Sequence, residues 1–212
     1  MNVVIAVLIA YLLGAVPTAY VVGRLNGINI FAVGSGNMGA TNVTRALGPQ
    51  WGAVVMIVDL IKGALGVLIA RALNPGEDLI IATFASGVAV IVGHNWSLFA
   101  TLLTGKIRGG KGAATTAGGW IVIFGHWPYL IFGPALLFIA VVISTKYVSL
   151  SVLMTGVIGA VGAVLAAFSG VIPDWYALYA VIAALLLLYR HRENIDRLRK
   201  GTERRLGERI KS

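Results

Sequence analysis

The sequence predicts an all-α integral membrane bundle of seven transmembrane helices, with the N-terminus outside and the C-terminus in the cytoplasm. Three observations predict it. Hydrophobic residues make up 58% of the 212 and charged residues only 12%, about half the charged share of a soluble domain. Too little polar surface remains to cover a water-facing globule. The apolar residues fall into stretches near the ~20 residues that cross roughly 30 Å of hydrocarbon. The charges then segregate between alternate loops, as the positive-inside rule requires.

The elements follow in order. Residues 3–22 lack a basic leader and a small-residue cleavage site before a soluble domain, so they read as a retained span rather than a signal peptide. Residues 51–73 and 79–99 are the next two. The stretch 113–145 as one helix would run about 50 Å, too long for a bilayer. Turned at His126-Trp127-Pro128 it gives two short spans suited to a locally thin region. Residues 150–168 and 175–189 complete the seven. In the sixth, Gly156, Gly159 and Gly162 read as a close-packing stripe.

Seven spans place Arg24, Arg45, Lys106, Arg108, Lys111, Lys146 and the basic C-terminal run from Arg190 to Lys211 on one side. Glu77, Asp78 and Asp174 fall on the other, with Arg71 as their one basic neighbour. Six spans would separate Lys146 from the C-terminal run. The net charge of +9 is therefore a topology signal and implies no nucleic-acid partner. Residues 1–195 read as one membrane domain and residues 196–212 as a basic cytoplasmic tail resting on anionic headgroups. Cysteine is absent, which excludes disulfides and thiolate metal sites.

Four polar strings interrupt the apolar pattern, all at the cytoplasmic side. The first is Gly34-Ser35-Gly36-Asn37-Met38-Gly39-Ala40-Thr41-Asn42 with Arg45. Glycines let successive N–H groups converge on an anion, Ser, Thr and Asn add neutral hydrogen bonds, and Arg45 supplies a bidentate charge. An ordinary turn capped by Thr41 or Asn42 is the simpler explanation, but turns rarely need so many such residues. The second is Arg108-Gly109-Gly110-Lys111-Gly112-Ala113-Ala114-Thr115-Thr116, a glycine-rich loop entering a helix N-terminus and hence an anion site. It nearly matches a nucleotide-binding loop, but Gly112 stands where Ser or Thr would hold magnesium and no strand precedes it. Both strings are expected to open a span, and their likeness hints at an internal repeat.

The third string, Lys146-Tyr147-Val148-Ser149-Leu150-Ser151, reads equally as a snorkelling lysine with Ser149 as cap or as a further part of the site. The fourth is Tyr189-Arg190-His191-Arg192-Glu193-Asn194-Ile195. If the last helix continues through it, Arg190 and Asn194 share a face, His191 titrates near neutrality and Asn194 orients a phosphate or hydroxyl. A basic surface turn is the competing view. Asp59 and Lys62, three residues apart near mid-depth, read as a neutralised pair inside the bundle or as a link to the loops. His94 and His126 lack partners at metal-ligand spacing and read as structural. Paired carboxylates, a Cys nucleophile and a Gly-x-Ser-x-Gly elbow are all missing from this face. It offers anion-binding groups and few bases.

Together with Gly93-His94, these strings resemble the bacterial acyl-phosphate:glycerol-3-phosphate acyltransferases, in order and over nearly the whole chain. The resemblance implies a seven-span protein of the bacterial inner membrane with its site at the cytoplasmic surface. It implies transfer of a fatty acyl group from acyl phosphate to the 1-hydroxyl of glycerol 3-phosphate, giving lysophosphatidic acid and phosphate. Acyl-CoA and acyl carrier protein are not donors, and no cofactor or metal is implied. Carried over residue by residue, Ser35, Lys111, His191 and Asn194 are the candidate catalytic residues. Ser35, Gly36, Asn37, Thr41, Asn42, Arg45, Gly109, Gly110, Lys111, Gly112, Thr115 and Ser149 are the candidate phosphate-binding residues. The resemblance also implies that a donor phosphate oxygen takes the hydroxyl proton, in keeping with the shortage of side-chain bases.

The chain departs from that pattern in three places. The segment 94–109 is longer, with Ser97 where proline is common; Arg108 replaces a lysine; and Ser151-Val152 stands where a small residue precedes a serine, leaving Ser149 or Ser151 for that role. Two other classes compete. A small-anion transporter needs polar groups through both leaflets, of which only Asp59–Lys62 is a sign. A lipid-binding scaffold would keep its binding without Lys111 or Asn194.

Overall fold

A computed structural model describes residues 2–208; the basic residues Arg209 and Lys211 of the expected tail lie outside them. Eleven helices follow one another, with no strand among the described residues: α1 (Asn2–Ala15), α2 (Thr18–Leu25), α3 (Ala40–Leu47), α4 (Pro49–Leu73), α5 (Leu79–Asn95), α6 (Leu98–Thr104), α7 (Ala113–Ile123), α8 (Pro128–Thr145), α9 (Val148–Phe168), α10 (Asp174–Arg190) and α11 (Arg192–Arg199). Five stretches are long and apolar enough to cross a membrane: Asn2–Leu25, Pro49–Leu73, Leu79–Thr104, Pro128–Thr145 and Val148–Phe168. The helix α10 has 17 residues and α7 only 11.

The differences from the expected spans have local causes. The first span breaks at Val16-Pro17, because Pro17 has no N–H to continue the ladder. At the break the carbonyl of Val16 accepts from the Thr18 N–H at 3.1 Å and from Lys62 Nζ at 2.9 Å. The third span continues beyond residue 99 but is interrupted at Trp96-Ser97. There the Ser97 hydroxyl accepts the Ala100 N–H and donates to the carbonyl of Ala15, stapling α6 to the break in the first span. The first polar string opens α3, an eight-residue helix too short to span; α4 starts after it at Pro49. Of the two short spans expected from 113–145, α8 is full length and only α7 is short.

The shortness of α7 follows from where it begins. After α6 the chain turns at Gly105 and returns alongside it: the Ser97 N–H donates to Arg108 O (2.8 Å) and the Gly110 N–H to His94 O (3.0 Å). The N-terminus of α7 is thereby level with the end of α5, one α6 length inside the bundle. A proline at 97 would lack the N–H that holds Arg108.

The centre is formed by α4, α5, α7 and α10, with Tyr179, Phe124, Ile123, Ile91 and Val67 fully buried. Helix α1 packs on α5 and α4, α9 on α10, and α8 chiefly on α9. The pair α4–α7 touches backbone to backbone: a Cβ at Gly63 would collide with Thr115 O, and one at Gly118 with Leu60 O. Far from the polar strings, Arg71 reaches Thr83, Ile123 O and Tyr176 at 3.4–3.5 Å, joining these four helices instead of flanking a loop. Outward, Phe132, Leu136 and Ile143 run exposed down α8, a surface stable against lipid and not against water.

Candidate active site

The four polar strings come together. One cavity of about 510 Å³ is lined by Ser35, Asn37, Thr41, Asn42 and Arg45 from the first, Lys111 and Gly112 from the second, Ser149 from the third, and His191 and Asn194 from the fourth. Each has a structural reason for its place. Gly34 and Gly36 take positive φ (59° and 64°) and coil residues 34–39 into a turn. Asn42, almost fully buried, holds that turn shut: its amide donates to the carbonyls of Ile30, Val33 and Asn37, and its oxygen accepts the Ser35 N–H at 2.9 Å. Its side chain is committed to placing Ser35.

In the second string, Gly112 (φ 80°) is the N-cap of α7, and no side chain caps the first turn. The N–H groups of Gly112 and Ala113 stay free at the cavity wall, with the positive end of the helix dipole behind them. Gly109 and Gly110 do not line the cavity. They press against the Asn95 backbone and the His94 ring, where any side chain would collide. Lys111 donates to Asn194 Oδ1. Burial first, then the neighbouring Arg197 charge, pulls its pKa from 10.5 to about 8, against the opposing pull of Glu203.

Thr115 also points away from the cavity: its hydroxyl lies 3.2 Å from His94 Nδ1. Thr116 lines the wall in its place, its buried hydroxyl unpartnered. Of the two serines left open in the third string, Ser149 faces the site and donates to Glu203 Oε1 (2.9 Å), whereas Ser151 bonds back to Tyr147 O. The last helix does not continue through the fourth string. It breaks at His191 (φ −100°, ψ 10°), where α10 ends and α11 begins. Arg190 and Asn194 nonetheless both seize the second string, Arg190 Nε on Gly110 O at 3.0 Å and Asn194 on Lys111.

His191 does not titrate near neutrality. Burial, then the Lys111 charge, lowers it to about 4. Its Nδ1 lies 2.8 Å from Leu187 O, an acceptor, so Nδ1 carries the proton and Nε2 keeps its lone pair.

The sequence reading did not place the tail at the site. After α11 the chain folds back over the cavity mouth, pinned by the Leu206 N–H on Lys146 O (2.7 Å) and Arg45 on Arg204 O (3.3 Å). Glu203 Oε1 accepts from Ser149 and from Asn194 (2.7 Å), and its Oε2 pairs with Arg197 at 2.8 Å. Burial opposes its ionisation, but these three donors outweigh it and leave its pKa below the usual carboxylate range. Arg197 and Arg204 line the cavity too, and Arg45 is lowered by burial and by Arg204. The one signal was the mixed charge of the tail, where Glu193, Asp196, Glu203 and Glu208 stand among the basic residues. Asp59 and His94 also reach the wall: Asp59 accepts from Lys62 (2.8 Å) and Thr18 (3.0 Å) beneath the second string. Asp59 and Lys62 pair with one another, and His94 Nδ1 lies 3.9 Å from Asp59 and 3.2 Å from the Thr115 hydroxyl.

Away from this polar end the cavity becomes an apolar groove between α7 and the α8–α9 hairpin, walled at the back by Ala180, Ala183, Ala184 and Leu187 of α10. Exposed Ile121 and Ile139 stand at its side, so it is open laterally where lipid would lie. The arrangement suits a molecule with an anionic head and an apolar chain.

Comparison with known proteins gives the following. A family described as glycerol-3-phosphate acyltransferase matches residues 4–201. Glycerol-3-phosphate acyltransferase 2 of Moorella thermoacetica is 44% identical over 97% of this chain and 98% of its own. A glycerol-3-phosphate acyltransferase of Thermus thermophilus is 42% identical over 97% and 96%. Among solved structures, PlsY, an integral membrane glycerol 3-phosphate acyltransferase in its glycerol 3-phosphate form, superposes with a TM-score of 0.84 at 35% identity, covering 98% of this chain and 96% of that one.

Proposed function

Because the chain belongs to the glycerol-3-phosphate acyltransferase family, we propose that it moves a fatty acyl group from acyl phosphate to the 1-hydroxyl of sn-glycerol 3-phosphate, releasing lysophosphatidic acid and inorganic phosphate. The observation that carries this reading is the single cavity in which four sequence-distant anion-binding strings meet an apolar groove open to the side. A donor with a phosphate head and a fatty tail fits both halves; a water-soluble acceptor fits only the polar one.

In the reaction the C1 hydroxyl oxygen attacks the acyl carbonyl carbon. The ester C–O bond forms, the bond from carbonyl to phosphate oxygen breaks, and the hydroxyl proton passes to a donor phosphate oxygen. Lys111, Arg45, Ser35 and the free N–H groups at Gly112 and Ala113 hold the phosphate charge as it leaves, while Ser149 keeps its proton on Glu203. Neutral His191 offers Nε2 as a hydrogen-bond acceptor for the other hydroxyl of glycerol 3-phosphate, at C2, and Asn194 orients Lys111.

The same reading assigns seven spans, counting α7 and α10, with the N-terminus outside and the C-terminus in the cytoplasm of a bacterial inner membrane. The charge asymmetry of the loops supports it. Residues 1–195 are the catalytic bundle. Residues 196–212 are a cytoplasmic tail whose first part belongs to the cavity mouth. The test is a donor comparison with the purified chain. Phosphate should be released from acyl phosphate only when glycerol 3-phosphate is present, with acyl-CoA and acyl carrier protein inert; no release would end the assignment.

A further inference from the structure

On each helix that walls the groove, the lining stops at one level. On α7 it ends at Trp120 and Ile121, on α8 at Ile131, on α9 at Gly156 and on α10 at Ala180. The side chain lying across that level is Trp120. Its ring rests on Phe124 at 4.4 Å between centroids and faces Tyr179 at 6.3 Å.

Three residues on other elements fix the indole there. Pro134 lies inside α8 and has no N–H, so the carbonyl of Leu130 four residues earlier has no helical donor. The Trp120 Nε1–H fills that vacancy at 2.7 Å, satisfying a carbonyl that has no water to turn to at this depth. On α9, Gly159 leaves room for the ring; a Cβ there would meet it at 3.3 Å. Hydrogen bond, stacked ring and glycine together hold a bulky plate across the groove.

From the α7 cap at Gly112 to Trp120 is eight residues, about 12 Å along the helix. An acyl chain whose phosphate sits at the cap therefore meets the indole partway down. We propose that Trp120, held by Leu130 O and seated on Gly159, is the floor of the acyl groove and sets which chain lengths are used efficiently. Chains that reach the plate fill the groove; longer ones must bend out between Ile121 and Ile139 into lipid and lose enclosed contact. This rests on reading the cavity as the acyl-phosphate site.

The test measures kcat/KM for dodecanoyl and octadecanoyl phosphate with the full chain in detergent and reports their ratio, which does not depend on the fraction folded. Trp120→Ala should raise the long-to-short ratio by about tenfold or more, since a few methylenes gain enclosed contact. Trp120→Phe should raise it less. Gly159→Ala should push the ring into the groove and lower the ratio severalfold. Equal ratios in all three variants and the native chain would overturn the floor while leaving the acyltransferase reading intact. If neither acyl phosphate is a substrate of the native chain, the underlying reading fails first. Should Trp120→Ala be inactive, the opposite shifts of Trp120→Phe and Gly159→Ala still decide.

Discussion

Replacing Lys111 by methionine should make the protein more stable and almost inactive at once. Folding lowers the Lys111 pKa from 10.5 to about 8. The protonated form is therefore disfavoured in the folded state, and at neutral pH the charge costs at most about 3 kcal/mol, at 1.36 kcal/mol per pH unit. That cost is fully present below pH 8 and is relieved as pH rises from 8 to 10.5, because the unfolded chain binds the proton over that window and the folded one does not. The methionine chain keeps the stem's packing and removes the charge. Thermal unfolding in detergent at pH 7 should show Lys111→Met melting above the native protein, with the gap closing toward pH 10.

The same shift predicts the activity profile. In the free enzyme about half the Lys111 side chains are charged at pH 8 and about a tenth at pH 9. The kcat/KM for phosphate release should therefore fall about tenfold per unit above pH 8, after subtraction of release without glycerol 3-phosphate. The kcat limb should lie higher, since a bound phosphate stabilises the ammonium. Lys111→Arg should lose the limb near 8, whatever its absolute rate, because guanidinium stays charged. A native profile flat to pH 10, or a methionine variant that melts below the native chain, would refute the reasoning.

Three further predictions follow from neighbouring groups. Asp59→Asn should cost about 3–5 kcal/mol by stranding the buried Lys62 charge, and Asp59→Leu with Lys62→Met should recover most of it, read as melting temperature. Glu203→Ala should lower kcat/KM by roughly 100-fold by releasing Ser149, Asn194 and Arg197, with Glu203→Gln intermediate and helical content unchanged by circular dichroism. His191 is already neutral above about pH 4, so kcat/KM corrected for substrate titration should show no acidic limb near 6.5; a limb there that vanishes in His191→Gln would contradict the neutral state assigned to it.

The polar strings were legible because an apolar sequence has no use for them, and each does reach the cavity. What each residue does within a string was less legible, for reasons of helix phase. Once Gly112 caps α7, residues 113, 116, 117 and 120 share the cavity face. Thr115, about 100° away, turns to His94. Reading the cap one residue differently would exchange the two threonines. The breaks at Pro17 and Ser97 were hidden for another reason: hydropathy counts apolar residues and registers neither the N–H that Pro17 lacks nor the side-chain cap that Ser97 supplies to α6. The role of the tail was hidden by its composition. A run of arginines reads as a headgroup anchor until Glu203, which hydropathy counts as one more polar residue, is seen to gather Ser149, Asn194 and Arg197.

The depth of the site, set by the return of residues 105–112 alongside α6, links the fold to the chemistry. A phosphate-binding helix end at the membrane surface would sit in water, where its dipole and the Lys111 charge are screened. Sunk by one α6 length, both act in a less polar medium and are correspondingly stronger. Backbone N–H groups are tolerated at that depth only because they line a cavity that an anion or water can enter. The loop that places them is held by bonds from three sides: His94 O on Gly110, the Ser97 N–H on Arg108, and Arg190 on Gly110 O. The recess also lets the apolar groove begin immediately below the phosphate groups, so that the carbonyl to be attacked lies at the boundary between them. A chain with a charged head can rest there with neither half in the wrong surroundings. The 94–109 segment therefore shapes the site: its return alongside α6 sets how far back in the bundle the N-terminus of α7 is held.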